Sequence, residues 1–295
     1  MVTTTLPLRT FGLAAHRLHR SDPSGGLARW AVASRSALAE LQLGIAAVGG
    51  SADAVEQLAL AENFPHLTRL PYGREGGVMR MVSRIAGGVH PEQELAGAIY
   101  LLDPLDPSSL YPEAQALKRQ CISHGKPLLL TVAAAMEWVA VEAALQAGVS
   151  LRQRQPVLVP SIEHQSLALI AHDALKSAMV DFASRHFDLL SQTRERFATG
   201  TTGGRLNEMA WSRGWPRDRQ WVVPLRSGPL GGDAQIAELV LDQRCDKVLF
   251  FEDVHVARQH EADIQLLERA VCTKSLTAAC YHTPAMADAW ARAWA

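Results

Sequence analysis

A segment rich in threonine and glycine, Thr199–Gly204, lies just before a run typical of an amphipathic helix. Glycines let the backbone curl so that several N–H groups point to one place, and the start of a helix adds positive potential. Threonine hydroxyls supply further donors. The segment therefore predicts a phosphate-binding loop. The alternative is an ordinary strand-to-helix turn in which a threonine caps the helix.

A second glycine-rich segment, "RSGPLGGDAQ", runs from Arg226 to Gln235. Ser227 and Gly228 could donate further hydrogen bonds to a phosphate, and two later glycines would bring the backbone close to a ligand. Asp233 comes directly after those glycines, where the next helix is expected to begin. It is a candidate base, and the alternative is that it only caps the helix.

The segment "AHDALK" contains His172, Asp173 and Lys176. His172 and Lys176 are four residues apart, so they lie on one face of a helical turn. Lys176 could therefore pair with a phosphate dianion. The alternative is a solvated surface lysine.

A fourth segment, "FFEDVHVARQHEAD", contains six titratable side chains. Its histidines lack the spacing of a helical zinc site, and no compact set of metal ligands is evident. His260 and Asp263 suit proton transfer instead. Acids in the first turn of a helix, favoured by its dipole, are the alternative for Glu261 and Asp263.

The four segments follow short apolar runs that alternate with longer amphipathic ones, as in βαβ units. Strands are predicted at 167–171, 195–198, 221–225, 247–251 and 276–280, and helices at 174–185, 204–213, 233–243 and 263–271. Strict alternation predicts a mostly parallel sheet with helices on both faces. Such sheets bind ligands beyond the carboxyl ends of their strands, which would collect all four segments at one edge. The combination fits proton abstraction from a small phosphorylated carbonyl compound.

The pattern occurs twice in the chain. "FGLAAHR" at Phe11 parallels "LALIAHD" at Leu167, and "GAIYLLDPL" at Gly97 parallels "KVLFFEDVH" at Lys247. A nearly constant offset over a whole domain indicates two copies of one unit. We predict a first copy at residues 1–161 and a second at 162–295, joined by the short segment Pro160–Ser166.

Composition restricts the classes of function. The formal net charge is −1 and no basic run is present, which argues against a nucleic-acid partner. No segment is apolar for long enough to span a bilayer, and the first residues show no secretory pattern. The four cysteines form no CxxC pair. A cytoplasmic location without membrane association is therefore expected.

The segments "ALIAHDALK", "ATGTTGG", "SGPLGGDAQ" and "FFEDVHVARQHEAD" resemble, in this order, the successive motifs of methylglyoxal synthases. The resemblance covers the second copy from about Leu167 to Arg269. It implies flavodoxin-like doubly wound domains in both copies. It also implies conversion of dihydroxyacetone phosphate to methylglyoxal and inorganic phosphate, with no metal and no other cofactor. Family members assemble with copies of themselves, so a homo-oligomer is expected.

The resemblance also assigns roles to residues of the second copy. Asp233 matches the catalytic base, His260 matches the histidine that polarises the carbonyl, and the further active-site aspartates are Asp173, Asp253 and Asp263. His172 matches a substrate-pocket histidine. The phosphate binders are Lys176, Thr199, Gly200, Thr201, Thr202, Gly203, Ser227 and Gly228.

The sequence departs from the family pattern at several places. Val254 replaces a usual proline, and Gln259 and Ala262 replace the prolines around the histidine. In the first copy, Val78 stands at the position of Asp233 and Leu110 at that of His260. A valine cannot accept a proton, so the first copy is expected to be inactive.

Two other functions remain open at this point. One is a pair of ligand-sensing domains without catalysis, and the other is a metal-dependent phosphatase that uses the acidic fourth segment. The first copy is further expected to cover apolar residues of the second, including Trp290 and Trp294, because uncovered aromatic surface promotes association.

Overall fold

The computed structural model describes residues 9–156, 158–256 and 261–295. Contacts divide the chain into two compact units, Met1–Leu128 and Leu129–Ala295. None of the described helices has the length and apolarity needed to cross a membrane.

The first unit contains a five-stranded sheet in the order β3-β2-β1-β4-β5. Its strands are β1 (Thr10–Ala15), β2 (Gly44–Val48), β3 (His66–Leu70), β4 (Gly97–Leu101) and β5 (Leu128–Leu129); the unit boundary falls between the two residues of β5. Its described helices are α1 (Arg17–Arg20), α2 (Gly26–Ala33), α3 (Arg35–Leu41), α4 (Gly49–Gln57), α5 (Gly77–Ile85) and α6 (Pro112–Ser123).

The second unit repeats this topology, in the order β8-β7-β6-β9-β10. Its strands are β6 (Ser166–Ala171), β7 (Glu195–Ala198), β8 (Val223–Pro224), β9 (Lys247–Phe251) and β10 (Ala279–Tyr281). Its described helices are α7 (Val132–Ala147), α8 (Leu151–Arg154), α9 (Lys176–Arg185), α10 (Phe187–Leu190), α11 (Gly200–Ser212), α12 (Gly232–Leu241), α13 (Glu261–Thr273) and α14 (Pro284–Trp294).

The central strands of the second unit are buried on both faces. Every residue of β6 and β9 is buried, as expected of parallel strands covered by helices on both sides. Successive side chains point to opposite faces. Phe250 packs in a cluster with residues of α12 and α13, whereas the neighbouring Phe251 contacts Phe182 of α9. The predicted doubly wound α/β fold is therefore confirmed, with the strand order 3-2-1-4-5 in each unit.

Most predicted element bounds differ from the structure by up to four residues; the strand expected at 276–280, for example, is Ala279–Tyr281. Two further differences lie next to the predicted phosphate loops. The strand expected at 221–225 is only Val223–Pro224, because the Asn207 side chain hydrogen-bonds the backbone of Trp221 and Val222 in place of a neighbouring strand. Helix α11 begins at Gly200 and not at Gly204. Most of the threonine-rich segment is therefore the first turn of a helix, and Thr199 is its N-cap.

The unit boundary lies earlier in the chain than the predicted boundary between copies. Helices α7 and α8 precede residue 162, yet α7 packs on α14 and β10, and α8 packs on α14. The segment Pro160–Ser166 consequently lies within the second unit. The boundary between the two sequence copies, between residues 161 and 162, stays a prediction.

A buried carboxylate joins α7 to the rest of the second unit. Glu137 is 4% exposed and accepts hydrogen bonds from the Lys247 ammonium, the Tyr281 hydroxyl at 2.5 Å and the Trp290 indole at 2.9 Å. Buried charges are tolerated where they are paired and hydrogen-bonded in this way. Trp290 is thus covered by α7, a helix of the second unit, and cover of the second copy by the first stays a prediction.

We expect Glu137→Gln to destabilise the protein by about 3–5 kcal/mol, because the change leaves the buried Lys247 ammonium without its counter-charge. Urea unfolding followed by circular dichroism measures this loss. Glu238→Gln, an exposed position on α12, is the matched control and should change the free energy of unfolding by less than about 0.5 kcal/mol. Equal stabilities of the two variants would contradict the structural role of Glu137.

Candidate functional site

The second unit has a cavity of about 260 Å³ beyond the carboxyl ends of its strands. The strand order reverses between β6 and β9, and open α/β sheets bind ligands at such a switch point. Eight of the predicted site residues line the cavity: His172, Asp173, Lys176, Thr199, Thr201, Ser227, Gly228 and Asp233.

His172 follows β6 and is held by the neighbouring strand. Its Nδ1 accepts a hydrogen bond of 2.9 Å from the backbone N–H of Asp253, and its ring packs edge-on against Phe250. Because Nδ1 is an acceptor, the proton of a neutral His172 must be on Nε2. The bond therefore determines both the tautomer and the orientation of this imidazole.

Lys176 provides the cationic group of the cavity. Its side chain is 15% exposed, and its ammonium lies 2.5 Å from the Asp173 carboxylate, which is 84% exposed. This spacing within one turn follows from the short helical segment Asp173–Leu175 that leads into α9. Lys176 is thus held by an aspartate at the rim of the cavity and can interact with an anion inside it.

The second glycine-rich segment forms a tight turn that only glycine permits. Gly231 has φ +91°, in the left-handed region that other residues rarely adopt. A Cβ atom on Gly232 would lie 2.0 Å from the carbonyl oxygen of Arg226. The turn closes through hydrogen bonds from Gly231 to Gly228 and from Gly232 to Ser227. Ser227 and Gly228 are thereby placed on the cavity wall, directly before α12.

The start of α11 supplies another part of the wall. Its first-turn N–H groups have no partner within the helix and give the terminus positive potential. The N–H of Gly200 donates to the Arg226 carbonyl at 3.0 Å, which ties the two predicted phosphate loops together. Gly200 therefore shapes the site, whereas Thr199 and Thr201 line it.

Asp233 lies in the first turn of α12 and is only 1% exposed. A carboxylate this deeply buried on a cavity wall is a candidate for proton transfer, because exclusion of water strengthens its interaction with a bound substrate. The structure places Asp233, Lys176 and His172 around the same small volume. One cavity thus holds a candidate base, a cation and an imidazole.

Other predicted residues lie outside this lining. Thr202 is fully buried in the first turn of α11, and Gly203 packs close to Pro224. Asp253 accepts a hydrogen bond from the backbone of His255, and Asp263 is half-buried in the first turn of α13. His260 lies outside the described residues.

The acidic residues of the fourth segment have different surroundings in the structure. Glu252 is buried and lies 2.6 Å from Nδ1 of His282, next to β10. Burial lowers the pKa of His282, but the effects of Cys280 and Glu252 outweigh burial and raise it to about 10. The imidazole is therefore protonated, and it pairs with Glu252 at the ends of β9 and β10.

Sequence reasoning missed four residues of the cavity wall: Ile170, Ala171, Pro229 and Phe250. Phe250 lies within a strand, and its own segment identifies it only as part of an apolar run. The alternation of side chains along β9, together with the position of His172 on the adjacent strand, was a signal that could have identified it. Among the described residues, no group of three or more His, Cys, Asp or Glu side chains is arranged to hold a metal ion.

Comparison with known proteins identifies the family. The chain is 42% identical over 114 residues to methylglyoxal synthase of Treponema socranskii, which covers 39% of this chain and 70% of that protein. It is 44% identical over 108 residues to methylglyoxal synthase of Thermus thermophilus, covering 37% of this chain and 78% of the relative. The chain belongs to the methylglyoxal synthase family.

Methylglyoxal synthases are also found among solved structures. The crystal structure of methylglyoxal synthase from Elizabethkingia anophelis matches with a TM-score of 0.35 and 32% identity, over 43% of this chain and 77% of that one. No family model matches the chain. The sequence similarity to methylglyoxal synthases thus extends over roughly a third of the chain.

We expect Lys176→Gln to weaken binding of inorganic phosphate by about 10- to 100-fold, because a hydrogen bond to a charged group contributes roughly 1.5–3 kcal/mol. Isothermal titration calorimetry measures the change. Lys274→Gln removes a lysine outside the cavity lining and serves as the matched control, with unchanged affinity expected. Equal affinities of the two variants for phosphate would argue against an anion site at Lys176.

Proposed function

We propose that the second unit converts dihydroxyacetone phosphate to methylglyoxal and inorganic phosphate. The observation that carries this proposal is the buried Asp233 carboxylate in the same cavity as Lys176 and the hydroxyls of Thr199, Thr201 and Ser227. Membership of the methylglyoxal synthase family supports it. A cavity of about 260 Å³ suits a three-carbon phosphate, because drug-sized ligands occupy roughly 300–1,000 Å³.

In this mechanism Asp233 removes a proton from the hydroxymethyl carbon beside the carbonyl. The electron pair of that C–H bond forms an enediolate, and elimination then breaks the bond between carbon and the phosphate oxygen. The resulting enol regains a proton on carbon and becomes methylglyoxal. Each turnover thus consumes one dihydroxyacetone phosphate and releases one methylglyoxal and one phosphate, without an oxidant or a reductant.

The remaining residues hold the substrate and stabilise charge. Lys176 and the donors of the two loops bind the phosphate group, which becomes more negatively charged as it leaves. His172, with its proton on Nε2, presents a neutral N–H donor to an oxygen of the substrate. The family resemblance assigns carbonyl polarisation to His260 and further acid–base roles to Asp173, Asp253 and Asp263, and these assignments are part of the proposal.

Location and assembly are proposed on the same basis. Because the substrate class is a small phosphorylated metabolite, we infer a cytoplasmic enzyme that needs no cofactor and assembles with copies of itself. Neither a nucleic acid nor a membrane is among its proposed partners.

Asp233→Asn should lower the turnover by at least about a hundredfold, because general base catalysis contributes typically 10²–10⁴-fold. The side chain keeps nearly the same volume, so affinity for phosphate should be largely retained. Methylglyoxal and phosphate are assayed together after incubation with dihydroxyacetone phosphate. Asp242→Asn, at the exposed C-terminal end of α12, is the control and should retain full turnover. Near-normal turnover of Asp233→Asn would overturn the mechanism.

Treatment with EDTA distinguishes the proposed reaction from that of a metal-dependent phosphatase. We expect EDTA to leave the turnover unchanged, since Asp233 and the hydrogen-bond donors supply the chemistry. Elemental analysis of the purified protein provides a second measurement. About one zinc or manganese ion per chain, together with loss of turnover in EDTA, would favour the phosphatase.

A further inference from the structure

The first unit has its own cavity at the same place in its fold, and this cavity has different walls. It measures about 600 Å³ and lies beyond the carboxyl ends of β1, β2 and β4. His16 holds the position of His172, because its Nδ1 likewise accepts a 2.9 Å hydrogen bond from the backbone N–H of Asp103. The two cavities are therefore equivalent by position.

The same loop geometry surrounds both cavities. Gly76, with φ +85°, and Gly77, whose Cβ would lie 2.1 Å from the Pro71 carbonyl oxygen, repeat the constraints found at the corresponding turn of the second unit. The N–H of Gly49, at the start of α4, donates to the same Pro71 oxygen. The backbone frame of an anion site is thus retained in the first unit.

The charged side chains that line the first cavity differ from those that line the second. The cavity of the second unit is lined by one lysine and two aspartates, Asp173 and Asp233. Three arginines line the cavity of the first unit, together with Asp106 and Glu113. Arg17 and Arg20 follow His16 at the same spacing at which Asp173 and Lys176 follow His172. With the histidines neutral, the formal charge of the lining side chains is +1 in the first unit and −1 in the second, which favours an anionic occupant of the first.

Arg20 is anchored at the start of α4. Its Nε donates to the Ala15 carbonyl at 3.1 Å and its Nη1 to the Gly50 carbonyl at 3.2 Å. A guanidinium has five N–H donors, so these bonds orient it and leave further donors for a phosphate or carboxylate. Arg74 also lines the cavity, with its guanidinium 5.6 Å from the Tyr72 ring centroid.

The counterpart of the buried Asp233 carboxylate is missing from this lining. Val78 occupies the position of Asp233. Burial lowers the pKa of His16 and raises that of Tyr100 to about 12, so both are neutral near pH 7, and their side chains hydrogen-bond each other at 2.8 Å. Val78, Met79 and Tyr111 add apolar surface that the smaller cavity does not have.

We propose that the first unit is a non-catalytic binding site for an organic phosphate whose carbon portion is larger and more apolar than a triose. Arg20, Arg74 and the start of α4 bind the phosphate group. Val78, Met79 and Tyr111 contact the organic portion. The proposal does not depend on the reaction assigned to the second unit.

Phenyl phosphate is a suitable probe, titrated calorimetrically into the full chain. The titrations use a Lys176→Gln background, which weakens the anion site of the second unit. We expect about one equivalent of phenyl phosphate to bind, at least about tenfold more tightly than inorganic phosphate or phenol. Affinity for phenyl phosphate no greater than for inorganic phosphate would overturn the assignment of an organic portion.

Substitutions locate the bound probe. In the same background, Arg20→Gln and Arg74→Gln should each weaken binding, by at least about tenfold for Arg20, and Val78→Asp should weaken it by repelling the anion. Arg35→Gln, an exposed arginine outside the cavity that pairs with Glu62, should leave it unchanged. If Arg20→Gln impairs folding, Arg74→Gln and Val78→Asp decide the question. Unchanged affinity in these variants, or no binding in the background protein, would overturn the proposal.

Discussion

The hydrogen bond from the backbone N–H of Asp253 to Nδ1 of His172 links the two central strands where the order of the sheet reverses. The same bond joins Asp103 to His16 in the first unit. On either side of this point the connections between strands leave the sheet in opposite directions, and a crevice opens between the two strand ends. The hydrogen bond crosses this crevice and orients the imidazole there. The cavities, the loops around them and the starts of α4 and α11 are arranged around these two histidines.

On this shared frame, a few substitutions change what a cavity can do. Replacement of Asp233 by Val78 at the equivalent position removes a buried proton acceptor and adds apolar surface. Replacement of Asp173 by Arg17 reverses a charge at the rim. Backbone geometry tolerates these exchanges because the loops are stabilised by main-chain hydrogen bonds and glycines, which do not depend on the side chains that face the cavity. One fold therefore accommodates a proposed catalyst and a proposed binding unit.

Local patterns predicted much of the fold. The strand at 247–251 has the predicted bounds, since a continuous apolar run between turn residues specifies a buried parallel strand. The strand at 195–198 also has its predicted bounds, although its first two residues, Glu195 and Arg196, are charged and half-buried. The strand around Val223 was overestimated because the Asn207 side chain, distant in sequence, hydrogen-bonds the backbone there. Helix α7 lies within the residues predicted for the first copy, but its packing on α14 and β10, and its buried Glu137, bonded to Lys247, Tyr281 and Trp290, place it with the second unit.

The sequence by itself determined the family, the α/β class, the repetition and eight residues of the cavity wall, because glycine turns and strand ends are encoded by neighbouring residues. Tertiary structure alone decided which of the acidic residues face the cavity. Asp233 is buried in its wall, whereas Glu252, from a more acidic segment, pairs with His282 beyond the end of β10. The physical reason is that a carboxylate's surroundings depend on contacts between distant segments, and spacing along one segment cannot specify them. The same holds for the larger, arginine-lined cavity of the first unit, which forms where segments from Ala14 to Ala114 meet.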